Sequence, residues 1–213
     1  MLFRSNTTIN FYIPESLKPG TYDISVNNGI ENAVLTNAFT VIEPKITGFT
    51  PASGNYNSLL TIQGENLANV QNVALGNNGY GNYGAEIISR DENQLVIRIP
   101  ANIPTGNAKI YISAANKSIS SSDDFLVLPP VITGFSPSEG TPGTIVTIKG
   151  NGFDSGQYYT SVKFGTVGST VISVSPTEIK TIVPSDAPAG VMKLVVVTPW
   201  YTVASDNDFT VKK

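Results

Sequence analysis

The 213-residue sequence contains no cysteine, no histidine and a single tryptophan. Without cysteine there is neither a disulfide framework nor a thiolate metal site. Without histidine the commonest general base, the commonest metal ligand and the usual activator of a serine nucleophile are all missing. Charge is scarce as well: 14% of the residues are charged, the net charge is −3 and the sequence pI is near 4.9. That balance argues against a nucleic-acid surface, which needs clustered Lys and Arg. No apolar run approaches the roughly 20 residues of a membrane-spanning helix, so no direct membrane insertion is expected. Met1–Ser5 is too short for a signal peptide, and an exported protein would carry its signal outside these residues.

Enzyme chemistry would then rest on paired carboxylates or a lysine-activated nucleophile. Acidic residues cluster only at Asp91-Glu92, Asp123-Asp124 and Asp206/Asp208, each beside a candidate strand. Turn residues and solvated sheet edges account for them, and no loop carries the ligand spacing of a known calcium motif. The glycine-rich run Gly76–Gly84 lacks the lysine and the strand-to-helix context of a phosphate loop. The chain therefore reads as not an enzyme, with no catalytic residue, no metal ligand and no cofactor.

What is present is repetition. Pro130–Gly150, PVITGFSPSEGTPGTIVTIKG, has an earlier version at Pro44–Gly64, PKITGFTPASGNYNSLLTIQG. In the later copy Val131–Phe135 is apolar and β-prone, and Pro137 ends it because proline cannot donate to a sheet ladder. Ser138–Gly143 is a turn, and Val146 and Ile148 then alternate with Thr147 and Lys149, the period of a half-buried strand. The two stretches resemble the start of an IPT/TIG domain, an immunoglobulin-like module. The resemblance rests on Ile132, Gly134, Phe135, Ser136, Pro137, Gly140, Val146, Thr147, Ile148 and Gly150, and in the earlier copy on Ile46, Gly48, Phe49, Pro51, Gly54, Leu60, Thr61, Ile62 and Gly64.

Three later landmarks recur in the same order: Pro14–Gly20, Pro100–Gly106 and Pro184–Gly190; Phe39, Phe125 and Phe209; and Val73–Gly76 with Val162–Gly165. Their spacing places complete domains at 44–129 and 130–213, preceded by residues 1–43, which match only the closing half of such a domain. There Ile9, Phe11 and Ile13 alternate as Leu95, Ile97 and Ile99 do, and Tyr22, Ile24 and Val26 form a further strand. Three strands would leave an apolar face uncovered. Either the sequence begins mid-domain or another chain, a protein partner or neighbouring subunit, completes residues 1–43.

The expected fold class is all-β: tandem immunoglobulin-like (IPT/TIG) seven-stranded sandwiches arranged end to end, stiffened by the short linkers Glu43-Pro44 and Leu128-Pro129-Pro130. In the last repeat the strands are expected at 131–135, 145–149, 161–164, 170–174, 178–183, 191–197 and 208–211. The expected cores contain Phe49, Ile62, Leu95, Ile97, Ile110 and Phe125 in the middle repeat, and Phe135, Ile148, Phe164, Leu194 and Phe209 in the last.

Aromatic loops are the candidate site. Tyr158 and Tyr159 fall between the second and third strands of the last repeat, and Trp200 and Tyr201 between its sixth and seventh. Tyr80 and Tyr83 occupy an insertion in the middle repeat, at the end that faces them in an end-to-end rod. These six would either pack across the joint or offer a stacking platform to a glycan. By resemblance, such domains occur in surface proteins of gut bacteria and beside starch-acting enzymes, in receptor ectodomains and in dimerisation domains of DNA-binding factors. The absence of a basic patch sets the last aside. The reading is a non-catalytic spacer or adhesive rod from a bacterial cell surface or a virion, with carbohydrate binding as the alternative.

Overall fold

The structure, a computed structural model, describes residues 3–4, 8–14, 17–77, 81–101, 103–114, 117–153 and 160–213. Among them every regular element is a strand except the three-residue 3-10 turn Leu67–Asn69.

The last domain is a sandwich of two sheets. One has the order Val131–Ser136, Ile145–Asn151, Glu178–Ile182, Val171–Ser175; the other runs Glu139–Gly140, Thr202–Val211, Gly190–Val197, Ser161–Phe164, Val167–Ser169. Alternation decides which side chains go inside. Val146 and Ile148 are fully buried while Ile145 and Lys149, which flank them, face solvent. Phe209 sits at the centre, with Phe164 edge-on at 5.1 Å and Phe135 at 6.1 Å. The middle domain repeats this core around Phe125, which is fully buried and meets Phe49 at 6.2 Å. The expected core residues all pack here, with Phe49 and Phe135 half-buried at its margin.

Three details of the topology differ from the expected seven-stranded plan. The opening strand has a second part: beyond Pro51 and Pro137 the chain crosses to the opposite sheet, where Ser53–Gly54 and Glu139–Gly140 run parallel to the closing strand. Proline offers no N–H to the sheet being left, so the break falls there. The expected strand at 170–174 is two pieces, Val167–Ser169 and Val171–Ser175, one in each sheet. In the middle domain the equivalent strand Gly81–Arg90 is unbroken, its first half to Ala85 pairing with Asn72–Asn77 and its second half from Glu86 with Gln94–Arg98. It fuses the two sheets into one of nine strands. Length permits this: 18 residues lie between Gly76 and Leu95, against 13 between Gly165 and Ile179.

The glycine that closes each opening stretch has a steric reason. A Cβ on Gly64 would lie 2.0 Å from the carbonyl oxygen of Lys45, and one on Gly150 equally close to that of Val131. The first two strands can approach only over a bare Cα, and buried Leu67 and Phe153 pack on the remaining space.

Residues 1–43 form two small pieces, Phe3–Arg4 paired with Ile9–Asn10, and a hairpin of Gly20–Asn27 with Asn32–Val41. The hairpin register is that of the closing hairpins of both complete domains. Gly20 faces Val41, Tyr22 faces Phe39 and Val26 faces Ala33; Gly106, Ala108 and Ile112 face Val127, Phe125 and Ile119; Gly190, Met192 and Val196 face Val211, Phe209 and Val203. In the complete domains a buried serine holds this hairpin where its register shifts. Ser121 Oγ accepts from the Ile110 amide at 3.0 Å and donates to the Asp123 carbonyl, as Ser205 does with Leu194 and Asn207.

Because Phe209 is fully enclosed, Phe209→Ala should destabilise the last domain by about 3–5 kcal/mol in denaturant unfolding. A loss below about 1 kcal/mol would put the ring at the surface. Gly150→Ala should cost about 1–3 kcal/mol, because the added methyl must push two paired strands apart.

Candidate functional site

Among the described residues, Trp200 and Tyr201 bring partly exposed aromatic rings to the joint between the two complete domains. Pro100, Ile103, Val127 and Leu128 form the end of the middle domain, and Tyr56 flanks them. Gly152, Thr198, Pro199, Trp200 and Tyr201 of the last domain face them across a cleft, with Pro130 at its base. The Trp200 loop is held from within. The Thr198 amide donates to the Tyr201 carbonyl at 2.8 Å, and the Tyr201 amide donates back to Thr198 Oγ1 at 3.1 Å. Proline at 199 pre-sets this turn and leaves the indole at its tip.

At Gly152 the two domains come close together. Its φ is +76°, and a Cβ there would lie 2.9 Å from the Cβ and Nδ2 of Asn55 in the middle domain. Both the backbone conformation and the contact require glycine. The linker is tied back as well, since the Leu128 amide donates to the Gly54 carbonyl at 2.8 Å.

The joint ahead of the middle domain is built from equivalent positions. Pro14, Leu17, Val41, Ile42, Pro44 and Asn66 line it, each 86 residues before Pro100, Ile103, Val127, Leu128, Pro130 and Gly152. Asn66 even shares the left-handed backbone of Gly152, with φ +59°, which asparagine tolerates better than most residues. The chemistry of the two joints differs. Asn66 Nδ2 donates to the Glu43 carbonyl at 2.9 Å, and Lys117 forms an ion pair with Glu43. At the second joint Tyr201 stands where Lys117 stands at the first. The cleft volume is about 390 Å³ at the first joint and about 40 Å³ at the second.

The IPT/TIG domain family model matches residues 44–127 and again 130–211. The chain belongs to the IPT/TIG family. Human fibrocystin-L is 30% identical over 141 residues, 65% of this chain and 3% of that protein. Among solved structures, a surface glycan-binding protein from Prevotella bryantii is 20% identical over 79% of this chain and 42% of its own, with a TM-score of 0.40. The plexin A4 extracellular region is 21% identical over 80% of this chain and 18% of its own, with a TM-score of 0.41. The chain thus spans less than half the length of each of these proteins.

Of the six aromatics singled out in the sequence, Trp200 and Tyr201 line the joint between the IPT/TIG domains. Tyr83 lies on the strand Gly81–Arg90, opposite Leu75 and half-buried against the middle core, and lines an adjoining groove with Tyr56, Arg98 and Pro100. Tyr80, Tyr158 and Tyr159 lie outside the described residues. Tyr56, Gly152 and the Pro100–Ile103 pair were not singled out. The repetition of Pro14, Leu17 and Asn66 at a constant interval is the signal that marks most of them. Among the described residues no group of three or more acidic side chains could hold a metal ion, and no helix is long and apolar enough to cross a membrane.

Replacing Trp200 and Tyr201 by serine together should loosen the joint while changing the stability of either domain by less than about 1 kcal/mol, since both rings are partly exposed. Small-angle scattering should show a broader spread of interdomain distances.

Proposed function

We propose that these residues form a non-catalytic rod of IPT/TIG domains, a spacer or interaction module that presents a partner-binding element at the surface of a bacterial cell or a virion. The observation that carries this reading is the repeated joint. A joint rebuilt from equivalent positions sets the direction of one domain relative to the next, which is what a spacer needs. Proline at 44 and 130, positive φ at Asn66 and Gly152, and packing around Leu17 and Ile103 all restrict rotation there. A flexible tether would be rich in exposed glycine and serine at these points.

Carbohydrate binding is the second reading, favoured by Trp200, which keeps 41% of its surface exposed beside Tyr201 at 37%. An indole face of that kind suits the apolar side of a sugar ring. The cleft beneath it is nearly filled by protein, so a glycan would lie on the outer faces of the rings. Affinity electrophoresis of the whole chain through gels of soluble plant and bacterial polysaccharides separates the two readings. The rod reading expects migration unchanged in every gel. Retardation that is abolished by Trp200→Ala would replace it with a glycan-binding module.

A further inference from the structure

Beside the second joint the middle domain carries a groove of about 370 Å³, lined among others by Tyr56, Tyr83, Glu86, Arg98 and Pro100. That volume lies in the range of small-molecule sites. Tyr56 and Pro100 also line the joint cleft, so the groove adjoins the Trp200 turn. Its polar groups are fixed. Arg98 Nε donates to Glu86 Oε2 at 3.0 Å, and Arg98 Nη1 donates to the carbonyl and the Oδ1 of Asn57 at 3.3 and 3.2 Å.

The last domain builds the same groove from other residues. In the middle domain the Asn57 amide donates to the Ile99 carbonyl and the Ile99 amide to that of Ser58; Gly143, Val183 and Thr144 repeat both bonds. Arg98 pairs with Glu86 across two strands where the Ile182 amide donates to the Thr170 carbonyl, and Tyr83 faces Leu75 as Val167 faces Phe164. Pro142, Val167, Thr170 and Ile182 therefore stand where the middle domain has Tyr56, Tyr83, Glu86 and Arg98. A groove of about 540 Å³ forms there with neither a ring nor an ion pair in its lining. The fold thus does not require the rings or the pair, and their role in the middle domain lies outside folding.

We propose that the Tyr56–Tyr83 groove binds a neutral polysaccharide. The tyrosines offer apolar ring surface to the faces of pyranose rings. Arg98 can only donate hydrogen bonds and an ionised Glu86 can only accept them, the combination that two neighbouring hydroxyls satisfy. Neutrality follows from the pairing, because Glu86 already balances the charge of Arg98 and its carboxylate, 67% exposed, would repel a uronate or a sulfate. The assignment rests on the carbohydrate reading of the joint and moves the main contact from the Trp200 face onto the middle domain.

Affinity electrophoresis of the whole chain tests this, with xyloglucan, galactomannan and amylopectin as neutral probes and polygalacturonate as the acidic one. At least one neutral gel should retard the chain, and polygalacturonate should not. The decisive variant, Glu86→Thr with Arg98→Ile, installs the last domain's residues and leaves the net charge unchanged, so migration in a plain gel stays the same. It should weaken the retarding interaction about tenfold or more, as expected for lost hydrogen bonds to charged groups. Tyr56→Ala should weaken it as well, and it decides the matter alone if the double variant does not fold. Retardation that survives both variants and is lost only with Trp200→Ala would overturn this assignment while leaving the carbohydrate reading in place. Equal retardation by polygalacturonate would overturn the assignment too. Migration unchanged in every gel would overturn both and leave the rod.

Discussion

A strand with apolar side chains at every second position has one face that water disfavours, and the whole molecule is arranged by whether that face finds cover. At about 25 cal/mol per Å² of apolar surface, the burial of side chains such as Phe125, Leu95 and Ile97 dominates the stability of a domain of this size. Where two sheets carry complementary faces the problem is solved internally, and Phe125 and Phe209 each lie wholly enclosed. Where only the closing strands are present, Phe11 and Ile13 remain in water.

The joints follow from a second constraint. Each domain ends in a proline turn and a closing strand, and the next begins within a few residues, so the domain ends must touch. At the first joint polar chemistry makes the contact, through Glu43, Asn66 and Lys117. At the second the contact is aromatic and glycine-tight, through Tyr56, Gly152, Trp200 and Tyr201. A half-exposed ion pair contributes little by itself, whereas ring packing removes area from water.

Much of this could be read from residues alone. The period-two runs placed most strands and about half of the core side chains, missing for example Leu67, Ile103 and Phe153, and the recurring Phe39, Phe125 and Phe209 located three closing hairpins of one register. Other features have no local signature. The unbroken path of Gly81–Arg90 depends on its two halves pairing with different strands, which no window of sequence encodes. The sheet crossing at Ser53–Gly54 and Glu139–Gly140 looks like any glycine turn until the closing strand lies beside it. At the joint, the aromatic loop of Trp200 stood out by composition. Tyr56 and Gly152 did not, because their importance comes from a neighbouring domain.

Distance measurement across the second joint bears most directly on the claim that these domains form a directed rod. The chain has no cysteine, so Ser89→Cys and Lys163→Cys, both at exposed positions, provide the only two sites for spin labels. A single narrow distance distribution, broadened when Trp200 and Tyr201 are replaced by serine, is the predicted result. A distribution already as broad as that of a flexible tether in the unaltered chain, and indifferent to the replacement, would contradict it.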